Sequence, residues 1–386
     1  MIWDGIDAEL ASLATQGLLR RRRILDTPCG VEVIVDGCAM LSFCSNDYLG
    51  LAAEPALIEA AREAATLWGV GSGASHLVSG HLAPHEILEQ RLAAFVGSDR
   101  ALYFSTGYMA NIGVVPALIG RGDAVFSDRL NHASLIDAAQ LSHANHQRYP
   151  HNDLAALERQ LAASTAKRKL ILTDAVFSMD GDLAPLPQLL ELADRFDAWL
   201  VVDDAHGFGV LGPQGRGTLA HLGIELGVHP RLLYIGTLGK AAGVSGAFVA
   251  GAANVIEWLM QRARSYIFTT AASPIVAATL IKSLKLIEQG DALRSHLQLL
   301  IERLHNGLKD TSWQLLPSPT AIQPIIIGEN AAALRCAAAL AEQGIWIPAI
   351  RPPTVPKGTA RLRITLSAAH STAQLDRLID ALRKMQ

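Results

Sequence analysis

Cysteine is scarce in this 386-residue chain, and the four present (Cys29, Cys38, Cys44 and Cys336) form neither a CxxC pair nor a zinc spacing. That excludes a disulfide-stapled secreted domain and leads us to expect reduced thiols in a cytoplasmic compartment. Charge of one sign is also lacking. The net charge of −3 argues against a general nucleic-acid binder. No uncharged apolar run reaches the ~20 residues that a membrane-spanning helix needs. The longest suspicious segment, Ala241 to Ile256, is shorter and rich in glycine, and it reads as buried sheet. The opening Met-Ile-Trp-Asp-Gly-Ile-Asp-Ala-Glu has early acids and no apolar stretch, so a secretory signal is not expected. Internal repeats and low-complexity linkers are missing too. A soluble protein with no membrane and no nucleic-acid partner is the expectation.

What is present is core-forming material. Hydrophobic residues make up 50% and charged residues 18%, which is globular and too apolar for disorder. The length allows one large core and a smaller satellite. Ile6, Leu10, Leu13 and Leu18 lie near helical spacing and predict an N-terminal helix, followed by short strands around Val31–Val35 and Leu41–Phe43. From about Asn46 to Ile281, strands alternate with Ala-rich helices, the α/β pattern. A long amphipathic stretch, Ile281 to Leu308, leads to strands at Ala321-Ile-Gln-Pro-Ile-Ile-Ile and Arg361-Leu-Arg-Ile-Thr-Leu, and a last helix closes a small α+β domain. The division expected is residues 1–45, 46–281 and 282–386. The run Arg20 to Arg23 reads as a solvated helix end favoured by the helix dipole rather than as a nucleic-acid or membrane patch.

The chemistry gathers at the ends of predicted strands. Lys240 stands in Tyr234-Ile-Gly-Thr-Leu-Gly-Lys-Ala-Ala-Gly, where an apolar run breaks into small residues around one amine. Amines are poor guests in such turns unless neutral or covalently used. A lysine among small residues, with Thr237 beside it, suits a Schiff base to an aldehyde cofactor; an ordinary surface lysine after a strand is the alternative. Trp199-Leu-Val-Val-Asp-Asp-Ala-His-Gly-Phe-Gly reads as a strand buried on both faces that ends in Asp203, Asp204 and His206. A buried carboxylate needs a cation or hydrogen bonds, and a protonated pyridine nitrogen is such a partner; a metal pair or a capping Asp is the competing reading. His132, in a turn after Ala124-Val-Phe, can stack on an aromatic cofactor and keep a polar edge for substrate, or it can be a satisfied structural residue. Leu102-Tyr-Phe-Ser-Thr-Gly-Tyr-Met-Ala-Asn reads strand, then turn, then helix, with free amides and hydroxyls for a phosphate. Taken together, the four describe pyridoxal 5′-phosphate (PLP).

Two other patterns carry less. Gly69-Val-Gly-Ser-Gly-Ala fits a dinucleotide fingerprint, but Ala56 to Trp68 before it reads as helix, not strand. His76, His81 and His85 have part of a zinc spacing. Pro84 sits between the last two, and no Cys or second acidic ligand is apparent, so no metal is expected.

At this point the chain resembles the α-oxoamine synthase family of fold-type I PLP enzymes, nearly end to end. The likeness rests on Ser45-Asn-Asp-Tyr-Leu-Gly, Gly71-Ser-Gly-Ala, Asn131-His-Ala-Ser, Val176-Phe-Ser-Met-Asp-Gly-Asp, Asp203-Asp-Ala-His-Gly and Thr237-Leu-Gly-Lys. The resemblance implies a mainly parallel central sheet flanked by helices, with a smaller α+β C-terminal domain. It implies that Lys240 is the Schiff-base lysine, that Asp203 pairs with the pyridine nitrogen, that His132 stacks, and that His206 contacts the ring hydroxyl. Gly107, Tyr108, Ser178 and Thr237 match cofactor-binding positions. Arg20, Asn46, His132, Arg351, Thr354 and Arg363 are the substrate-binding candidates. The stretch Ile350-Arg-Pro-Pro-Thr-Val-Pro with Gly358-Thr-Ala-Arg-Leu-Arg points to the branch that makes a biotin precursor. The implied reaction condenses L-alanine with pimeloyl-CoA or pimeloyl-[acyl-carrier protein] and releases carbon dioxide. A family member acting on glycine and an acetyl thioester is the nearer rival, and a non-catalytic PLP-binding scaffold the remoter one. A homodimer is implied as well, with Thr269 and Thr270 reaching the neighbour's phosphate.

Overall fold

Unbroken apolar runs predict strands covered on both faces, and that is where the chain puts most of its sheet. The computed structural model describes residues 5–385. The first four residues, which belong to the stretch read for a secretory signal and to the 1–45 segment, lie outside the described residues, as does Gln386. Early in the chain, β1 (Glu32–Val35) and β2 (Cys38–Ser42) pair antiparallel across a tight turn. Then come β3 (Arg100–Phe104), β4 (Ala124–Asp128), β5 (Asn145–Tyr149), β6 (Lys169–Asp174), β7 (Ala198–Asp203), β8 (Leu232–Thr237) and β9 (Ala247–Gly251). These seven form one sheet in the order β3-β9-β8-β7-β6-β4-β5. The run from β5 to β8 is parallel, and β9 is antiparallel to both β8 and β3. A mainly parallel sheet was expected, and its helices follow the strands as crossovers require.

This sheet lies in a compact unit of Leu49–Ser178 and Asp182–Arg294. Leu102, Val114, Val125, Leu172, Val201 and Ile235 belong to a core cluster that is nearly sealed from solvent. Parallel strands need such cover on both faces. In register, Asp174 of β6 lies opposite Asp203 of β7, so the carboxyl ends of adjacent strands carry acids. Ligands collect at that edge in open α/β sheets.

The other unit comprises the chain up to Tyr48, Met179–Gly181, and everything from Ser295 onward. Here β12 (Ile345–Trp346) adds parallel to β2. A second sheet has the order β10-β11-β14-β13, built from β10 (Gln314–Leu315), β11 (Ile322–Gly328), β13 (Ala349–Ile350) and β14 (Ala360–Thr365). The final helix, Thr372–Lys384, starts with a capping box between Ser371 and Gln374.

Three local expectations change. Only Ala247–Gly251 of the Ala241–Ile256 segment is strand; a turn precedes it and the helix Ala253–Arg262 follows it. The stretch Ile281 to Leu308 is two helices, Pro274–Glu288 and Asp291–Leu308, parted at Gln289-Gly290. The N-terminal helix is Ile6–Thr15 with no basic residue in its last turn. Gln16-Gly17 interrupts it, because glycine is a poor helix former. Arg20 to Arg23 therefore lie in irregular, exposed chain and are not a helix end. Among the described residues, no helix is long and apolar enough to cross a membrane.

Candidate active site

Asp203 closes β7 and is 4% exposed. Its Oδ1 accepts from the Ala205 amide at 3.0 Å and its Oδ2 from Asn111 Nδ2 at 2.7 Å. Asn111 lies one turn into the helix Gly107–Leu118, so the helix that follows β3 steers the carboxylate at the end of β7. Asp174, at the end of β6, accepts from the backbone amide of His132 at 2.7 Å. Burial, reinforced by the charge of Asp203, pushes the Asp174 carboxyl well above the usual range.

His132 is the N-cap of the helix Ala133–Leu141. Its Nδ1 lies 2.7 Å from Ser134 Oγ, which fixes one edge of the ring while solvent reaches the rest. Desolvation lowers its pKa, and the Lys240 charge acts the same way against the opposing pull of Asp203. Lys240 Nζ stands 2.8 Å from Nε2 of the buried His206. The lysine is held in a turn closed by the Gly243 amide, which donates to the Lys240 carbonyl at 2.8 Å. Gly243 has φ +69°, and a Cβ there would meet the Leu51 carbonyl carbon at 2.6 Å, so only glycine completes this turn.

At the start of the helix Gly107–Leu118, Thr106 caps by accepting from the Met109 amide at 3.1 Å. A Cβ on Gly107 would approach Thr237 Oγ1 to 3.0 Å, so the first helical amides and that hydroxyl share one small space. Tyr108 is exposed, with its hydroxyl donating to Asp137 at 2.6 Å. Ser178 is half-buried in the turn after β6. Thr269 and Thr270 follow the short helix Arg264–Ile267, the first half-buried and the second exposed.

The residues of this unit fit PLP by chemistry. A buried carboxylate bonded to neutral donors suits a protonated ring nitrogen. Helix-start amides with a hydroxyl suit a phosphate. The open face of His132 suits a stacked ring. The Lys240 amine suits an aldehyde.

In the other unit, Arg363 of β14 is buried, and its Nη1 donates to Asn46 Oδ1 at 3.2 Å and to Thr365 Oγ1 at 2.9 Å. Tyr48 OH donates to the same Asn46 oxygen at 3.2 Å. Arg351 donates to the Gly17 carbonyl, and the exposed Thr354 closes a turn with its amide on Arg351 O at 3.1 Å. Arg20 is exposed and belongs to none of these groupings.

Sequence reasoning gave no role to Asn111, Asp174 or Arg361. Arg361 is buried and pairs with Asp180 at 2.7 Å. A polar residue inside the apolar run Met109–Leu118 is the signal that could have found Asn111, since a buried amide must have partners.

The aminotransferase class I and II family model matches residues 39–382. An 8-amino-7-oxononanoate synthase from Herminiimonas arsenicoxydans is 76% identical over 388 aligned residues, covering 100% of both chains. A serine palmitoyltransferase from S. paucimobilis with a bound PLP–myriocin adduct superposes with a TM-score of 0.92 at 30% identity, over 99% of this chain and 96% of that one. An 8-amino-7-oxononanoate synthase from Francisella tularensis superposes at 0.78 and 30% identity, over 90% of this chain and 97% of that one. PLP is thus the cofactor, the fold is that of the fold-type I transferases, and the chain belongs to the α-oxoamine synthase family of PLP-dependent acyltransferases, among the 8-amino-7-oxononanoate synthases.

Proposed function

We propose that the protein condenses L-alanine with a pimeloyl thioester to give 8-amino-7-oxononanoate, carbon dioxide and the free thiol carrier, a step of biotin biosynthesis. The full-length identity of 76% to a relative of that name carries the reading, and the arrangement of Lys240, His206, Asp203 and His132 supports it. Bound PLP supplies an electrophilic aldehyde and a ring that takes up the electron pair freed at the amino acid's Cα. Lys240 Nζ is the base that removes the Cα proton and later returns one, with His206 Nε2 holding the amine in place. Asp203 supplies the negative charge that keeps a ring nitrogen protonated, and Asn111 and the Ala205 amide keep that carboxylate from turning away. His132 polarises the thioester carbonyl through its free edge while Ser134 fixes the other. Arg363 receives the amino-acid carboxylate with its planar guanidinium. Thr354 and Arg351 serve the acyl donor. The donor arrives on coenzyme A or on an acyl-carrier protein.

The same reading makes the working form a symmetric homodimer in which Thr269 and Thr270 complete the neighbour's phosphate site. The exposure of Phe268 beside them, at 70%, supports this, and a catalytically active monomer in sedimentation would sink it. Four free thiols suit a cytoplasmic location. The decisive assay measures carbon dioxide release by the holoenzyme with alanine or glycine, against pimeloyl-CoA, pimeloyl-[acyl-carrier protein] and acetyl-CoA. Turnover with alanine and a pimeloyl donor is expected. Preference for glycine and acetyl-CoA would overturn the assignment.

A further inference from the structure

Three imidazoles that play no part in the chemistry above meet beside the helix Ala83–Val96. The sequence weighed against a metal there because Pro84 interrupts the spacing and no second acidic ligand was apparent. The fold removes the first objection. Pro84 occupies the first turn of the helix, where a missing amide costs no hydrogen bond. His76 lies in a single π-helical turn, His76–Gly80, that brings it back over the helix start. One nitrogen from each of His76, His81 and His85 lies within 4.8 Å of the others. The ring centroids are 5.1, 5.1 and 5.7 Å apart.

The outer contacts orient the rings, while the inner nitrogens of His76, His81 and His85 are bonded within the chain. His81 Nε2 faces Glu86 Oε2 at 3.2 Å, so its Nδ1 carries the lone pair and accepts from His76 Nδ1–H, 2.8 Å away. His85 Nε2 donates to the Ala272 carbonyl at 2.8 Å, so its Nδ1 carries the lone pair and accepts from the Leu82 amide at 3.0 Å. A carboxylate or carbonyl on the far nitrogen is the usual support of a metal-bound histidine. His76 is oriented by stacking on Tyr266, with centroids 4.7 Å apart and planes at 9°. His76 is buried, so a ligand bound there is shielded from water.

We propose that His76, His81 and His85 form a binding site for one zinc ion, or a similar late first-row divalent cation. Neutral imidazoles favour such ions over magnesium or calcium. Tetrahedral zinc at about 2.0–2.1 Å from each nitrogen sets ligand atoms roughly 3.3 Å apart. On binding, the His76 proton moves from Nδ1 to Nε2, His76 and His81 part slightly, and His85 exchanges the Leu82 amide for the metal.

The test strips PLP-loaded enzyme with a chelator, then titrates zinc against a colorimetric competitor. One equivalent per chain at roughly micromolar affinity or tighter is expected. His81→Gln and His76→Gln should each weaken binding by ~100-fold, and Glu86→Gln by ~10-fold, while magnesium does not compete. No saturable binding, or affinity unchanged in both histidine variants, would overturn the proposal. If those variants fail to fold, X-ray absorption on the zinc-loaded native chain decides. Three imidazole scatterers support the site, and fewer than three refute it.

Discussion

Asp203 and Asp204 are adjacent, buried, and different in use. Asp204 is wholly enclosed and spends its oxygens on scaffold: Oδ2 accepts from the Thr218 amide at 2.7 Å and from Tyr234 OH at 2.8 Å, and Oδ1 from Thr218 Oγ1 at 2.6 Å. Burial raises its pKa to about 6 even though the Thr218 and Tyr234 donors pull the other way. Asp203 takes one neutral donor on each oxygen, from Ala205 and Asn111, which leaves acceptor capacity on a carboxylate with about four lone-pair sites. Strand alternation turns neighbouring side chains to opposite faces, so one acid braces the loop at Thr218 while the charge of the other reaches His132. Proximity in sequence therefore says little about role, and the pattern of donors says much.

The largest expected effect comes from removing the amine that Asp203 serves. Lys240→Ala should lower turnover by ~10⁴-fold, the upper range for loss of a positioned base. Borohydride should then no longer fix cofactor to the peptide carrying residue 240; labelling of another lysine would reassign the base. The next effect separates the two acids directly. Asp203→Asn keeps shape but removes charge, and Cα-proton exchange of alanine should fall ~100-fold or more while cofactor still binds. Asp204→Asn should leave exchange nearly intact and instead lower stability by about 2 kcal/mol, because an amide NH₂ would face the Thr218 and Tyr234 donors. Equal loss of exchange in both variants would erase the distinction drawn here.

How much of this was legible in the chain follows from the range of the contacts. Asp203, His132 and Lys240 announce themselves because each follows an apolar strand, and turns at strand ends are local in sequence. The mainly parallel sheet was legible for the same reason. Asn111 was not, since its partner lies 92 residues away. Nor was the sharing of one sheet by β2 and β12, or the antiparallel course of β9, because non-local pairing leaves no periodic trace. The gathering of the three histidine nitrogens within 4.8 Å of one another was not legible either, because a π-helical turn that leaves no periodic trace helps to set it.

A smaller effect sharpens the contrast between buried and exposed candidates in the unit that holds β14. Arg363 is buried against Asn46 and Thr365, whereas Thr354 lies exposed in a proline-rich turn. Arg363→Ala should raise the alanine requirement about tenfold or more, the scale of a lost charge-assisted bond. Thr354→Ala should weaken use of the pimeloyl donor by a few-fold and leave alanine binding alone. Spectral titration with alanine, then donor dependence, checks both. A reversed pattern would exchange the two roles.

The smallest effect concerns a third kind of buried carboxylate, one with a cation of its own. His151 lies between Asp128, with Nδ1 at 3.1 Å from Oδ1, and Asp182, with Nε2 at 2.8 Å from Oδ2. Asp128 ends β4 as Asp203 ends β7, yet its charge is answered within the chain. Burial disfavours the imidazolium, but hydrogen bonds and charge from Asp128 and Asp182 overcome this and raise its pKa to about 10. A histidine whose folded pKa is raised contributes stability that is complete below its unfolded value, about 6.5, and is lost as pH climbs toward the folded value. Native protein should therefore exceed His151→Gln by about 2 kcal/mol at pH 6, and the gap should narrow steadily toward pH 10. Urea unfolding of both proteins across that range measures it. Asp203→Asn should show no such narrowing, because Asp203 has no histidine bridging it to a second acid. A gap for His151→Gln that stays flat with pH would mean the ring is neutral, and Asp128 would then join Asp203 as a carboxylate bonded to neutral donors.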